Sequence, residues 1–350
     1  MKVAELYRMR ELKPSTYRGT EFLAGVEIEA EGVPAVMREH TFKYWVSHRD
    51  GSLRNDGWEF VMRTPVGADL NKALVEYDKL ASQHKLQYNA RTSVHVHISV
   101  QHLTKEQLQH VFALYLALES VLMRKVPEYR RNSLFCIPLN HTSDFQMYLQ
   151  KFMNGREPPV PGKYSALGTF RLHNLGTVEF RMLHGTGDIG VIENWTMACA
   201  RIVEQAHNCT REQMLQLLTL DAEELARMVI GPDVLNNLPD YPGGVAVSST
   251  GAKIAAFACL VQAPVTGELQ LDVATPVPEY RDHVYEYFYH LPKYAINCLQ
   301  AAPEGAAVFG WERTATGAVF NGEVRIGDTF IACAAVITFP KEPELEVVEI

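Results

Sequence analysis

Several features are missing from this sequence, and each absence excludes a class of protein. No run of about 18 apolar residues occurs, so no membrane-spanning helix is expected. Residues 1–25 mix charged with apolar side chains and lack the continuous apolar segment of a secretory signal, so we expect a cytoplasmic protein. Basic residues do not predominate, because 33 lysines and arginines face 41 acidic residues and the net charge is −8. This balance argues against general binding to nucleic acid.

Cysteine is scarce and widely spaced. The six cysteines form no Cys-x-x-Cys pair. In a chain of 350 residues, this pattern is typical of buried free thiols in a reducing compartment. With 47% hydrophobic and 21% charged residues, the composition is that of a folded protein that buries a core without disulfides.

The chain divides unevenly. Residues 1–231 alternate between predicted strands and helices, residues 232–250 are rich in Pro, Gly and Asn and are interpreted as a linker, and residues 251–350 form a smaller C-terminal region. Apolar spacing and capping residues predict helices over residues 68–86, 104–125 and 188–209, with a short one after Asp221. Residues 169–183 are predicted as a hairpin. We therefore predict an α+β fold with a largely antiparallel sheet.

Four predicted strands each have one apolar face and one polar face. A strand sends residues i and i+2 to the same side. The polar positions are Glu27 and Glu29 in the first strand, Glu59 in the second, His95 and His97 in the third, and Glu179 and Arg181 in the fourth. Each pair alone also fits an ordinary solvated sheet surface.

If these four strands share one sheet, their polar faces gather carboxylates and imidazoles that repel one another unless cations compensate them. Carboxylates suit Mg²⁺, and imidazole also accepts Mn²⁺ or Zn²⁺. An arginine beside them suits phosphate oxygens. The pattern therefore predicts a site for a metal-bound nucleoside triphosphate.

The order of the motifs resembles a known enzyme family. The segments GVEIEAEG, DGSLRNDGWEFVMRTP, SVHVHISV and GTVEFRMLHGT follow one another, with Trp195 downstream. Over roughly residues 20–210 this series is similar to the amidoligases, which are carboxylate–amine ligases of the glutamine synthetase and glutamate–cysteine ligase superfamily. The resemblance implies a glutamine-synthetase-like sheet with helices on one face. ATP and two or three Mg²⁺ or Mn²⁺ ions would bind on the other face.

The resemblance also implies roles for individual residues. Glu27, His95 and Glu179 would ligate one metal ion, and Glu29 and Glu59 would ligate another. His97 would lie near the nucleotide phosphates, and Arg181 would stabilise the transferred phosphoryl group. The sequence departs from the family before the two histidines, where Arg91-Thr92-Ser93-Val94 lacks a common glycine. Arg91 is therefore a candidate substrate or phosphate contact.

The implied activity is ATP-dependent formation of an amide or isopeptide bond. A substrate carboxylate would attack the γ-phosphate of ATP to give an acyl phosphate, and an amine would then displace phosphate. The expected substrates are a small-molecule, peptide or protein carboxylate and an amine, in a phage or mobile-element setting. Asp50 and His173 are both candidate general bases. Arg63, four residues after Glu59, is a candidate phosphate contact.

Two other functions stay open. A metal-dependent hydrolase could use the histidine and carboxylate cluster without ATP, and a non-catalytic binding or assembly protein could use the same scaffold. Trp195 fits core packing better than adenine stacking. Arg130 and Arg131 could contact substrate, but a solvated basic pair is the default interpretation. His184, just past the fourth strand, is a weaker candidate for the site.

Overall fold

The computed structural model describes residues 1–131, 133–139 and 164–241. In the C-terminal region it describes residues 270–276, 279, 281–289, 299, 302, 304–308, 311–314, 317–326 and 329–338.

The described residues confirm the α+β class. Their strands are β1 (Ser15–Tyr17), β2 (Thr20–Phe22), β3 (Ala24–Ala30), β4 (Trp45–Arg49), β5 (Trp58–Met62), β6 (Val94–Ser99), β7 (Leu167–Gly168), β8 (Thr177–Phe180), β9 (Gln270–Ala274), β10 (Ala307–Val308), β11 (Trp311–Thr314), β12 (Gly317–Ile326) and β13 (Thr329–Thr338). Their helices are α1 (Val3–Leu6), α2 (Ala35–Arg38), α3 (Leu70–Ala81), α4 (Lys105–Arg124), α5 (Glu128–Arg131), α6 (Leu172–Leu175), α7 (Ile189–Asn208), α8 (Arg211–Leu217), α9 (Ala222–Val229), α10 (Pro232–Leu235) and α11 (Arg281–Tyr289).

A six-stranded antiparallel sheet with the order β4-β5-β3-β6-β8-β7 lies in the N-terminal part of the chain. On its apolar face, Val26, Ile28 and Val96 are fully buried. Helix α7 contacts β3 and β6 and also packs against α3 and α4. One face of the sheet is thus covered by helices, which directs the alternating polar side chains to the other face.

The long helices begin where their capping residues predict. Thr104 accepts a hydrogen bond from the backbone N–H of Gln107, whose side chain accepts one from the backbone of Thr104 in return. Asp188 accepts hydrogen bonds from the backbone N–H groups of Gly190 and Val191 at the start of α7. The predicted helices over residues 104–125 and 188–209 are confirmed as α4 and α7, and the one over residues 68–86 is found as α3, which ends at Ala81.

The predicted hairpin over residues 169–183 is wrong in its first half. Leu172–Leu175 form the short helix α6, and the strand that pairs with β8 comes earlier, at Leu167 and Gly168. Leu172 and Leu175 are three residues apart, as in a helical turn, and Gly176 ends the turn with a φ of 65°. Glycine adopts this left-handed conformation without a steric penalty, so it favours the end of a helix here.

The C-terminal region contains a second, five-stranded antiparallel sheet with the order β10-β11-β12-β13-β9. The predicted meander of strands is confirmed in β10 to β13. The interpreted linker at residues 232–250 begins with helix α10, which contacts α7, and the N–H of Tyr241 donates to the carbonyl of Arg124. The described part of that segment therefore packs on the preceding region. Among the described helices, none combines the length and apolar character needed to cross a membrane.

Candidate metal centre

A cleft of about 490 Å³ opens on the polar face of the six-stranded sheet. The predicted site residues that line it are Glu27, Glu29, Asp50, Glu59, Arg91, His95, His97, Glu179 and Arg181. Strand register explains why they meet: Glu27 pairs with His95, Glu29 with Glu59, and His97 with Glu179. Residues paired across antiparallel strands lie on the same face of a sheet and are close neighbours.

His95 lies between two carboxylates. Its Nδ1 is 3.2 Å from Oε2 of Glu27 and 3.5 Å from Oε1 of Glu179. His95 thus contacts both of the carboxylates with which it is predicted to share a metal ion. All three are substantially buried, with exposed side-chain fractions of 6% for His95, 20% for Glu27 and 8% for Glu179.

Ser93 determines how His95 presents its ring. Both the backbone N–H and the hydroxyl of Ser93 donate to Oε2 of Glu29, at 2.8 and 2.7 Å. Because the hydroxyl proton is used in this way, Ser93 Oγ accepts from Nε2 of His95, 2.9 Å away. Nδ1 of a neutral His95 then carries a lone pair that faces Glu27 and Glu179. The gap therefore needs a positive species, either a second ring proton or a metal ion.

His97, two residues further along β6, also contacts a hydroxyl group with one ring nitrogen and faces carboxylates with the other. Its Nδ1 lies 3.2 Å from the hydroxyl of Thr177. Its Nε2 lies 3.2 Å from Oε1 of Glu27 and 3.9 Å from Oε1 of Glu179. Nε2 is buried and has no hydrogen-bond partner among the described residues. A buried imidazole nitrogen that faces carboxylates without a partner fits a metal ligand.

The carboxylates differ in charge state. Burial alone would raise the pKa of Glu27, but the adjacent imidazoles of His95 and His97, through close contact and their charge when protonated, hold that pKa well below its usual range. Burial, and then the charges of neighbouring carboxylates, Glu27 first, raises the pKa of Glu59 to about 8. The cluster thus contains more acidic groups than it can ionise without added positive charge.

Three adjacent positions could each hold a cation. The groups are Glu27, His97 and Glu179; Glu27, Glu59 and His95; and Glu29, Asp50 and Glu59, and within each the ligand atoms lie within 4.8 Å of one another. Glu27 belongs to the first two groups and Glu59 to the last two. The third group contains only carboxylates and suits a hard cation such as Mg²⁺, whereas the imidazoles in the others also admit Mn²⁺ or Zn²⁺. The donor set therefore fits divalent cations.

This grouping differs from the predicted one in two respects. His97 joins Glu179 because the register places these two residues directly opposite each other. Asp50, predicted as a general base, lies in the carboxylate group with Glu29 and Glu59. Asp50 is placed there by the compact loop of residues 50–57 between β4 and β5. In this loop Asp56 has a φ of 56°, and Gly57 leaves no room for a side chain because an added Cβ would lie 2.1 Å from Cβ of Leu53.

Arg181 borders the carboxylates at the end of strand β8. Its Nη1 forms an ion pair with Oε1 of Glu179, and its Nε is buried without a hydrogen-bond partner among the described residues. The side chain is 14% exposed. A guanidinium that is mostly buried, open to a cleft and only partly paired is suited to bind an anionic oxygen.

Other predicted residues lie outside the cleft. Arg63 is wrong as a phosphate contact: strand β5 ends at Met62, Arg63 is exposed, and its Nε donates to the carbonyl of Phe42. His173 is exposed on α6 and does not line the cleft. His184 packs its ring against Tyr241. Trp195 is fully buried, which confirms core packing.

The sequence interpretation missed part of the cleft. Arg130 and Arg131 are 1% and 4% exposed, so the prediction of a solvated basic pair is wrong. Arg130 lines the cleft, together with Arg171 and the aromatic side chains of Phe135, Tyr164 and Phe170. These residues follow no strand or helix periodicity. No pattern signals them, because only tertiary packing brings them to the site.

No protein-family model matches the chain, and no curated protein matches it either.

Proposed function

We propose that this protein is an ATP- and Mg²⁺-dependent carboxylate–amine ligase related to the amidoligases and built on a glutamine-synthetase-like sheet. The strongest support is the meeting of the carboxylate groups, both imidazoles and Arg181 in one cleft on the polar face of an antiparallel sheet. A triphosphate is strongly anionic, so a site for it needs several positive charges. Cations held by the carboxylates and the guanidinium of Arg181 provide them.

Neighbouring cation positions share ligands, which suits a polyphosphate. Glu27 and Glu59 would each serve two adjacent Mg²⁺ or Mn²⁺ ions, while Glu179 and Asp50 would complete the outer positions. Bound there, these ions neutralise charge on the phosphate oxygens. Asp50 acts as a ligand in this arrangement, and the general base is not assigned.

The remaining arginines fit a second anion. Arg91 and Arg171 line the cleft and are exposed, whereas Arg181 is only partly exposed. Arg171 lies over the ring of Phe170, with its guanidinium carbon 5.6 Å from the ring centre. These cations would attract a substrate carboxylate toward the phosphate group that it attacks. Bringing two anions together is the main electrostatic obstacle to the first step, and fixed positive groups lower it.

Nucleotide binding and acyl transfer can be tested in two successive experiments. Calorimetry should detect binding of AMP-PNP that requires Mg²⁺. The protein, ATP and hydroxylamine are then mixed with a panel of amino acids and peptides, because hydroxylamine converts an acyl phosphate to a hydroxamate and releases phosphate. We expect a hydroxamate and ADP in equal amounts for the correct carboxylate.

Matched variants make this test specific to the cleft. Glu27→Gln should lose Mg²⁺-dependent nucleotide binding. Glu31→Gln is the control, since Glu31 lies four residues further along and accepts hydrogen bonds from the N–H of Arg54 and the amide of Asn89, outside the cleft. Absence of AMP-PNP binding to the wild-type protein, or equal loss in both variants, would contradict the proposal.

A metal-dependent hydrolase is the second candidate. Its support is the sharing of Glu27 and Glu59 between adjacent cation positions, an arrangement that also occurs in hydrolytic sites with two metal ions. A hydrolase would cleave amide or ester substrates with metal alone, and ATP would not change its rate. The nucleotide titration above distinguishes the two functions.

A further inference from the structure

Arg130 is a buried cation without an acidic partner among the described ion pairs. It is 1% exposed and lines the cleft beside Arg181. Its Nε donates to the carbonyl of Met182 at 3.3 Å, and its Nη2 donates to the carbonyl of Arg181. Burying a guanidinium is unfavourable unless its donors are used, so this position requires an explanation.

The two carbonyls that Arg130 contacts lie in a gap of the sheet. Phe180 is the last residue of β8 in register with β6 and β7. Beyond it, the N–H of Arg181 still donates to the carbonyl of Ala166, and pairing with the β6 side resumes at Leu183, whose carbonyl accepts from the N–H of Val94. Between them, the carbonyls of Arg181 and Met182 receive hydrogen bonds from the side chain of Arg130. The guanidinium thus satisfies two carbonyls that pair with no backbone N–H among the described residues.

The same contact determines the direction of the Arg181 side chain. Met182 is fully buried, and its sulfur lies 3.1 Å from the hydroxyl of Tyr115 on the opposite side. With Met182 held on the apolar side and the backbone held by Arg130, Arg181 must project into the cleft.

We propose that Arg130 is a positioning residue that holds the end of strand β8 and thereby aims Arg181 at the transferred phosphoryl group. The inference rests on the proposed function, because it gives Arg181 a γ-phosphate to contact. It assigns Arg130 no direct contact with the nucleotide. Its effect is transmitted through the two carbonyls.

Arg131 provides a matched control. It is adjacent in sequence, 4% exposed, and also donates to two backbone carbonyls, those of Val126 and Tyr241 at 2.9 and 2.8 Å. It does not line the cleft. Arg131→Gln should therefore lower stability as Arg130→Gln does, without changing how the cleft discriminates between nucleotides.

The experiment compares the affinities for AMP-PNP and ADP, each with Mg²⁺, by calorimetry. Arg130→Gln should weaken AMP-PNP binding by about tenfold or more, which is typical when a residue that orients a binding side chain is removed. ADP binding should weaken by less than about threefold, because ADP has no γ-phosphate for Arg181 to contact. Arg130→Lys keeps the charge but cannot span both carbonyls, so it should show the same selective loss and serves if the glutamine variant fails to fold. Thermal melts verify that each variant is folded.

A double-mutant cycle separates positioning from direct contact. If Arg130 acts through Arg181, the double variant Arg130→Gln/Arg181→Gln should bind AMP-PNP within about twofold of Arg181→Gln alone. Multiplied losses, or an unchanged ratio of AMP-PNP to ADP affinity in folded Arg130 variants, would overturn the inference. If the wild-type protein binds neither nucleotide, the proposed function fails and the inference fails with it. If the wild-type protein binds both nucleotides and the Arg130 variants bind them with the same affinities, the inference is wrong but the proposed function stands.

Discussion

The metal-free protein should become more stable when Glu59 is replaced by glutamine. The surroundings raise the pKa of Glu59 from its ordinary value of 4.5 to about 8. Between these two values the folded state binds a proton that the unfolded state releases, so rising pH favours unfolding. The penalty is absent below about pH 4.5, grows across the interval and is complete near pH 8. Glutamine has the same shape and cannot ionise, so it avoids the penalty.

The size of the effect follows from the pKa difference. At pH 7 the pH is about 2.5 units above the pKa of the carboxyl group in the unfolded state. This difference sets an upper limit of about 3 kcal/mol on the destabilisation of the folded state. Water reaches part of the side chain and the neighbouring carboxylates can rearrange, so we expect about 1–2 kcal/mol. A stabilising substitution at a proposed ligand is reasonable, because functional sites often store unfavourable charge.

Urea unfolding in EDTA measures this prediction at pH 5, 7 and 8. The advantage of Glu59→Gln should be near zero at pH 5 and largest at pH 8. Glu31→Gln is the control and should be less stable than wild type at every pH, because Glu31 accepts a hydrogen bond from the backbone of Arg54. Adding Mg²⁺ should reverse the order, since only the wild type has the full ligand set. A difference that is independent of pH would refute the reasoning.

Three further changes have expected outcomes. Burial, followed by the charge of His207, lowers the pKa of His102 to about 4. Stability should therefore fall as pH drops from 6.5 toward 4, and His102→Gln should flatten that slope in urea titrations at pH 7.5 and 5. Thr104→Ala removes the cap of α4 and should cost about 1 kcal/mol in the same assay. Ser93→Ala removes the hydroxyl that contacts Glu29 and the ring of His95, and should weaken Mn²⁺ binding about tenfold or more by calorimetry, with an unchanged affinity counting against this role.

The side chains that share the polar face are predictable from the sequence. A strand alternates its side chains with a period of two, so Glu27 and Glu29 must project together, as must His95 and His97. Register is not predictable in this way. Glu29 pairs with Glu59 because β3 and β5 are neighbours in the sheet, and this pairing creates the all-carboxylate position. Local sequence patterns do not predict which strands become neighbours.

The errors have identifiable physical causes. Arg63 follows the face of Glu59 only if the strand continues, and β5 ends one residue earlier. Gly176 is compatible with a hairpin turn and with a helix end, and its neighbours Leu172 and Leu175 favour the helix. Arg130 belongs to a short helix outside the sheet, so its burial depends on packing between segments that are distant in sequence.

Anomalous diffraction from crystals grown with Mn²⁺ and AMP-PNP would test the central claim most directly. The account predicts Mn²⁺ peaks at two or more of the three positions, bound by the shared carboxylates of Glu27 and Glu59, with the γ-phosphate near Arg181. Ligand distances should be about 2.0–2.6 Å, as for hard cations bound by oxygen and imidazole. A well-ordered cleft without Mn²⁺ peaks, or nucleotide bound elsewhere on the protein, would contradict the account.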